Sequence, residues 1–154
     1  MKLSTEFATL CPSTATRIQE TLAEPKRVLF VCVENSNRSQ MAEAFARELG
    51  GNAIESVSAG SRPSGQVNPR AIQMMAECGI YLDAHRSKSL EEVGDEPFDA
   101  IVTMGCGDAC PWIPAKRRFD WALADPKHMS DEEFRQIRDE IRRRVAELLT
   151  EIRS

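Results

Sequence analysis

The segment Cys32-Val33-Glu34-Asn35-Ser36-Asn37-Arg38-Ser39 has the form C-x5-R-S. A cysteine and an arginine at this spacing suit a tetrahedral anion. If the loop curls, the backbone N–H groups of Val33, Glu34, Asn35, Ser36 and Asn37 point inward. Arg38 adds a planar fork of donors for two oxygens, and a following helix contributes its positive dipole end. A thiol beside arginine at such a helix start has its pKa lowered to about 3.5–7.5, so Cys32 is expected as a thiolate nucleophile. Ser39 is placed to donate its hydroxyl to that sulfur. Asn35 tolerates a left-handed turn and can tie the loop by side-chain hydrogen bonds. The plain alternative, a strand-end cysteine with an incidental arginine, is disfavoured by the position between a strand and a helix.

The second reactive group is Met104-Gly105-Cys106-Gly107-Asp108-Ala109-Cys110-Pro111. Two cysteines four residues apart among glycines can come within the roughly 7 Å between Cα atoms that a disulfide needs. Five cysteines are present, with Cys11 and Cys78 completing the set. In a reducing compartment they are not expected to be static staples. A redox pair is the favoured reading of Cys106 and Cys110. A zinc site recruiting His128 or Cys32 would need four ligands, and inert core cysteines are the third reading. Cys78 follows Ala71, Ile72 and Met75 at helical spacing and is expected to fill core. His85 and His128 read as surface or hydrogen-bonded residues, Trp112 and Trp121 as core residues or neighbours of the site.

These groups need a scaffold. Arg27 to Cys32 is a continuous apolar run of the kind buried on both faces of a sheet. Ser39 to Leu49 reads as the helix after the loop, closed by Gly50-Gly51. Residues 53–58 and 98–104 predict two more strands and residues 118–123 a weaker one. Asn68-Pro69 opens a helix from Arg70 to Cys78. Ser130 with Glu133 caps a long C-terminal helix whose apolar side is Phe134, Ile137, Ile141, Val145 and Leu148/Leu149. Alternating strands and helices imply an α/β three-layer sandwich around a parallel sheet, with ligands at the carboxyl ends of its strands. We divide the chain into a helical arm, residues 1–25, and one domain, residues 26–154. In the arm, Ala15, Ile18 and Leu22 share a face before Pro25; it is expected to pack as a short helix, a partner-binding or dimerising arm being the alternative.

Composition narrows the function classes. The net charge of −4 argues against a nucleic-acid or anionic-membrane binder, so any pull on an anion must be local. No apolar run reaches the roughly 18 residues of a membrane span. No secretory leader is evident, and a cytoplasmic, monomeric protein is expected.

Residues 27–49, together with Ser58-Ala59-Gly60 and Asp125-Pro126, resemble the low-molecular-weight protein tyrosine phosphatase fold, specifically its arsenate reductase branch. The resemblance spans roughly residues 26–150 and implies four parallel strands in flavodoxin-like order. It implies Cys32 as nucleophile, Arg38 as anion clamp and Asp125 as general acid. Glu34 departs from the pattern, standing where many members have glycine, so its charge must turn away from the anion. Phosphatases of this fold carry aromatic residues around the slot; here residues 61–65 and 127–129 contain none, which favours a small inorganic anion. The implied reaction is reduction of arsenate to arsenite, with phosphate or sulfate as mimics. Cys106 and then Cys110 would take over the oxidised sulfur, leaving a disulfide for an external dithiol, thioredoxin or a glutathione/glutaredoxin route. Hydrolysis of phosphate monoesters through a phosphocysteine is the alternative, and a non-catalytic oxyanion- or arsenite-binding module is the third. No bound cofactor is implied. Asn35, Glu43 and Ser58 match positions where some reductases hold potassium.

Overall fold

The computed structural model describes residues 24–105 and 112–153. The arm up to residue 23, and with it Cys11, lies outside the described residues, as do Cys106 and Cys110. Strand β1, Lys26–Cys32, is buried from Val28 to Cys32, as its unbroken apolar run requires. It pairs in parallel with β2, Ile54–Gly60, on one side and β3, Phe98–Thr103, on the other. Strand β4, Ala115–Asp120, adds to β3, giving the order β2-β1-β3-β4. This is the flavodoxin-like order, with Cys32, Gly60, Thr103 and Asp120 ending their strands at the same carboxyl edge.

Helix α1, Arg38–Gly50, leaves the loop after β1, and Gly51 at φ +53° ends it. Helix α2, Pro69–Ala76, starts with proline in its first turn, and Asn68 Oδ1 accepts from Arg70 N at 2.9 Å. Helix α3, Asp131–Arg153, opens on a reciprocal cap: Glu133 N donates to Ser130 Oγ, and Ser130 N donates to the Glu133 carboxylate. One sheet face, through Val28, Phe30, Ala100 and Val102, packs on Met41, Phe45, Met74, Met75, Phe134, Ile141 and Val145 of the three helices. The other face packs Leu29, Val31, Phe98 and Ile101 against Ile113 and Leu90, the latter in a 3-10 turn, Leu90–Val93.

Three local expectations are corrected. Cys78 is exposed: α2 ends at Ala76, so the helical spacing that placed Cys78 with Ala71 and Met75 no longer applies. Trp112 is 59% exposed, and only Trp121 packs inward, its ring 6.1 Å from that of Phe30. The fourth strand runs three residues earlier than residues 118–123. Trp121 and Leu123 are buried beyond its end.

Candidate active site

The turn from β1 into α1 draws residues 33–38 around the Cys32 sulfur. Within it, Asn35 takes the left-handed conformation at φ 51°. None of the backbone N–H groups of Val33, Glu34, Asn35, Ser36 and Asn37 has a hydrogen-bond partner among the described residues. Three of these residues, Asn35, Ser36 and Asn37, are buried, where N–H groups are rarely left unpaired, and five such groups in one loop suit an anion nest.

The Asn35 side chain organises the interior of this loop. Its Oδ1 accepts from Lys88 N at 2.9 Å and from Gln40 Nε2 at 3.0 Å, which fixes the amide so that Nδ2 donates to Ser39 Oγ at 2.8 Å. Ser39 Oγ lies 2.8 Å from Cys32 Sγ. Having accepted from Asn35, the hydroxyl has its own proton free for the sulfur. Gln40 is held in turn by His85, whose Nδ1 is 2.9 Å from Gln40 Oε1 while Arg47 NH1 meets Nε2 at 2.9 Å. Burial pushes the His85 imidazole below its ordinary 6.5, the Glu43 carboxylate acting in the opposite sense, and these contacts suit the neutral ring with its proton on Nδ1. Gly60 completes the packing: a Cβ there would lie 2.6 Å from Val33 O and 2.9 Å from Asn35 N.

Arg38 is buried beside the sulfur. Its NH1 donates to Met104 O at 2.8 Å and Leu123 O at 2.9 Å, and NH2 lies 3.9 Å from Asp125 Oδ2. One arm of the guanidinium is therefore committed to backbone, while its Nε is buried with no partner among the described residues. Asp125 reaches over the loop to accept from Asn37 Nδ2 at 3.2 Å. It also caps the 3-10 turn Pro126–His128 through Lys127 N. Cys32, Glu34, Ser36, Asn37, Arg38 and Asp125 line one narrow cleft. Cys32 is 2% exposed at the floor of this cleft. Glu34 turns sideways, its carboxylate 3.3 Å from Lys127 Nζ. Next to the cleft runs a groove of about 260 Å³ between Glu34, Ser64, Gln66, Asn68 and Lys127. No aromatic side chain lines the cleft or the groove among the described residues.

The potassium ligand set does not fit. Glu43 accepts from Ser58 Oγ at 2.7 Å and from Arg47 at 2.8 Å, with Lys88 Nζ 3.7 Å away. Asn35 Oδ1 already serves two donors. The Glu43 and Asn35 oxygens are engaged by protein donors, and two side-chain cations flank the one carboxylate. The structure thus brings together Cys32, Arg38, Ser39, Asp125 and residues 33–37. Gln40, His85, Lys88 and Gly60 were not singled out as site residues from sequence; the one available signal was Gly60 at a strand end, where close backbone approach is common.

Residues 27–154 match the family described as low molecular weight phosphotyrosine protein phosphatase. The chain is 40% identical over 130 residues to the glutaredoxin arsenate reductase of Synechocystis sp., covering 82% of this chain and 98% of that one. A solved arsenate reductase in the phosphate binding state superposes with a TM-score of 0.76 at 40% identity, over 82% of this chain and 98% of that chain. The thioredoxin-dependent arsenate reductase of Corynebacterium glutamicum gives 0.72 at 34% identity, over 86% of this chain and 64% of its own.

Proposed function

The chain belongs to the low molecular weight phosphotyrosine protein phosphatase family, and we propose that within it this protein reduces arsenate to arsenite. The observation that carries this reading is the loop after Cys32 with five N–H groups unpartnered among the described residues, beside a cleft that no described aromatic side chain lines. Such a cleft suits a bare tetrahedral oxyanion better than an aryl phosphate. A solved relative of 40% identity described as in a phosphate binding state supports it.

In this proposal Arg38 Nε and the loop N–H groups hold arsenate, and the Cys32 thiolate attacks arsenic. Asp125 protonates the departing oxygen, which leaves as water while the S–As bond forms. Cys106 as thiolate then attacks the Cys32 sulfur. The S–As electron pair stays on arsenic, reducing As(V) to As(III), and arsenite leaves with a Cys32–Cys106 disulfide behind. Cys110 attacks Cys106 and frees Cys32 as thiolate. The Cys106–Cys110 disulfide is reduced by an external dithiol. Relatives described as glutaredoxin and thioredoxin-dependent arsenate reductases support a protein of that class as donor. The protein works without a bound prosthetic group, in the cytoplasm, residues 1–25 being an appendage to the catalytic domain.

The test is anaerobic arsenate turnover with thioredoxin or glutaredoxin systems, alongside p-nitrophenyl phosphate hydrolysis. Cys106→Ser is expected to lose reductase turnover and keep any weak phosphatase activity. Equal reductase rates in the two proteins would remove the relay. Phosphate ester hydrolysis without arsenate reduction would establish the phosphatase reading instead.

A further inference from the structure

Asn37 stands at the N-cap of α1, a position where asparagine ordinarily bonds the first turn of its own helix. Here it makes no capping bond. The side chain is directed elsewhere: Nδ2 donates to Asp125 Oδ1, and the residue is 3% exposed in the wall of the cleft. Its Oδ1 is buried without a partner among the described residues, and so is Nε of the adjacent Arg38. Both residues line the cleft, which is thus bordered by one side chain with an unsatisfied acceptor and one with an unsatisfied donor. Each is costly to leave unmade.

We propose that the Asn37 side chain is a specificity determinant that reads the proton of the incoming oxyanion, so that the cleft prefers a protonated tetrahedral anion to a bare one. Hydrogen arsenate or hydrogen phosphate offers a charged oxygen to Arg38 Nε and a hydroxyl to Asn37 Oδ1. Sulfate satisfies the arginine and leaves Oδ1 against a second oxygen acceptor. Hydrogen phosphate and sulfate are both dianions of similar shape, so the proton is the difference that the amide can detect. Sites that bond a substrate hydroxyl reject analogues lacking it by this mechanism. Asp125 supports it by accepting from Nδ2 at Oδ1, which fixes the amide's orientation. The proposal rests on the oxyanion-binding reading of the cleft but not on the reduction step, and its test involves no turnover.

The reduced protein is titrated with inorganic phosphate or with sulfate at pH 8, and protection of Cys32 from iodoacetamide is read by peptide mass spectrometry. Wild type is expected to be protected by phosphate at a concentration roughly ten-fold or more below that of sulfate. Asn37→Ala is expected to lose that preference, the phosphate and sulfate concentrations that protect converging, and Asn37→Ser, which keeps an acceptor oxygen, recovers part of it. Equal protection of wild type by the two ions overturns the proposal, as does a preference undiminished in Asn37→Ala. Joint loss of both anions in a variant that retains its far-UV spectrum also overturns it, showing that Asn37 shapes the loop or positions Asp125. Protection by neither ion in wild type would instead strike at the oxyanion cradle itself.

Discussion

Ser39 has one proton to give, and the side chain of Asn35 decides where it goes. Because Asn35 Oδ1 is occupied by two N–H donors, its Nδ2 must face Ser39, which leaves the serine hydroxyl for the sulfur. In the proposed reaction, where Cys32 acts as a thiolate, removing that hydroxyl deletes a hydrogen bond to a charged group, a loss of about 1.5–3 kcal/mol. Ser39→Ala is therefore expected to slow carbamidomethylation of Cys32 at pH 7 by roughly ten-fold or more and to lower the melting temperature, because Asn35 Nδ2 loses its buried acceptor. An unaltered rate would show that Ser39 does not act on the sulfur. The residue types and spacing of this motif were legible: a strand-end cysteine, an arginine and an asparagine able to adopt positive φ all sit within eight residues. The clamp on Gln40 was not. Its partner His85 lies 45 positions away, and only the sheet order brings them together.

At the scale of elements, the approach of β2 to the loop after β1 sets the shape of the cradle. Gly60 ends β2 where a Cβ would collide with Val33 O, Asn35 N and, at 3.0 Å, Asn35 Cβ. Two of these are backbone atoms with no flexible end to retreat. Gly60→Ala is expected to cost about 1–3 kcal/mol of stability, as overpacking does, and to abolish phosphate protection of Cys32 even where the protein remains folded. Protection at the wild-type phosphate concentration would mean that the loop tolerates displacement. Buried elements announced themselves in sequence, because β1 and β3 are nearly unbroken apolar runs and α3 repeats its stripe over six turns. Edge strand β4 did not: Lys116, Arg117 and Arg118 are exposed and carry no alternation. The apolar Trp121 and Leu123 pulled the expected strand toward residues that are buried past its end. Cys78 failed for a related reason, since periodicity cannot show that a helix stops two residues earlier.

The whole molecule is tied together across its helices by ion pairs that leave a pH signature. Arg135, and then Arg138, hold the Glu77 carboxyl at about 2 against an ordinary 4.5 by hydrogen bonding, and Arg138 also donates to Met74 O at the end of α2. Between these two pH values the unfolded chain binds more protons than the folded one. The contribution is therefore complete above about 4.5 and lost as the pH falls toward 2. Glu77→Gln is expected to melt below wild type at pH 7, with the gap narrowing under pH 4.5; a gap independent of pH would assign the loss to packing. The proposed catalytic cycle also belongs to the whole chain, because it would join Cys32 at the end of β1 to cysteines that follow β3 in sequence. Fully reduced protein mixed anaerobically with arsenate, with no external reductant, measures it most directly. One arsenite per chain and a Cys106–Cys110 disulfide by peptide mass spectrometry are expected, both absent in Cys32→Ser. Arsenite formation by Cys32→Ser, or all thiols still free in wild type after exposure to arsenate, would contradict it.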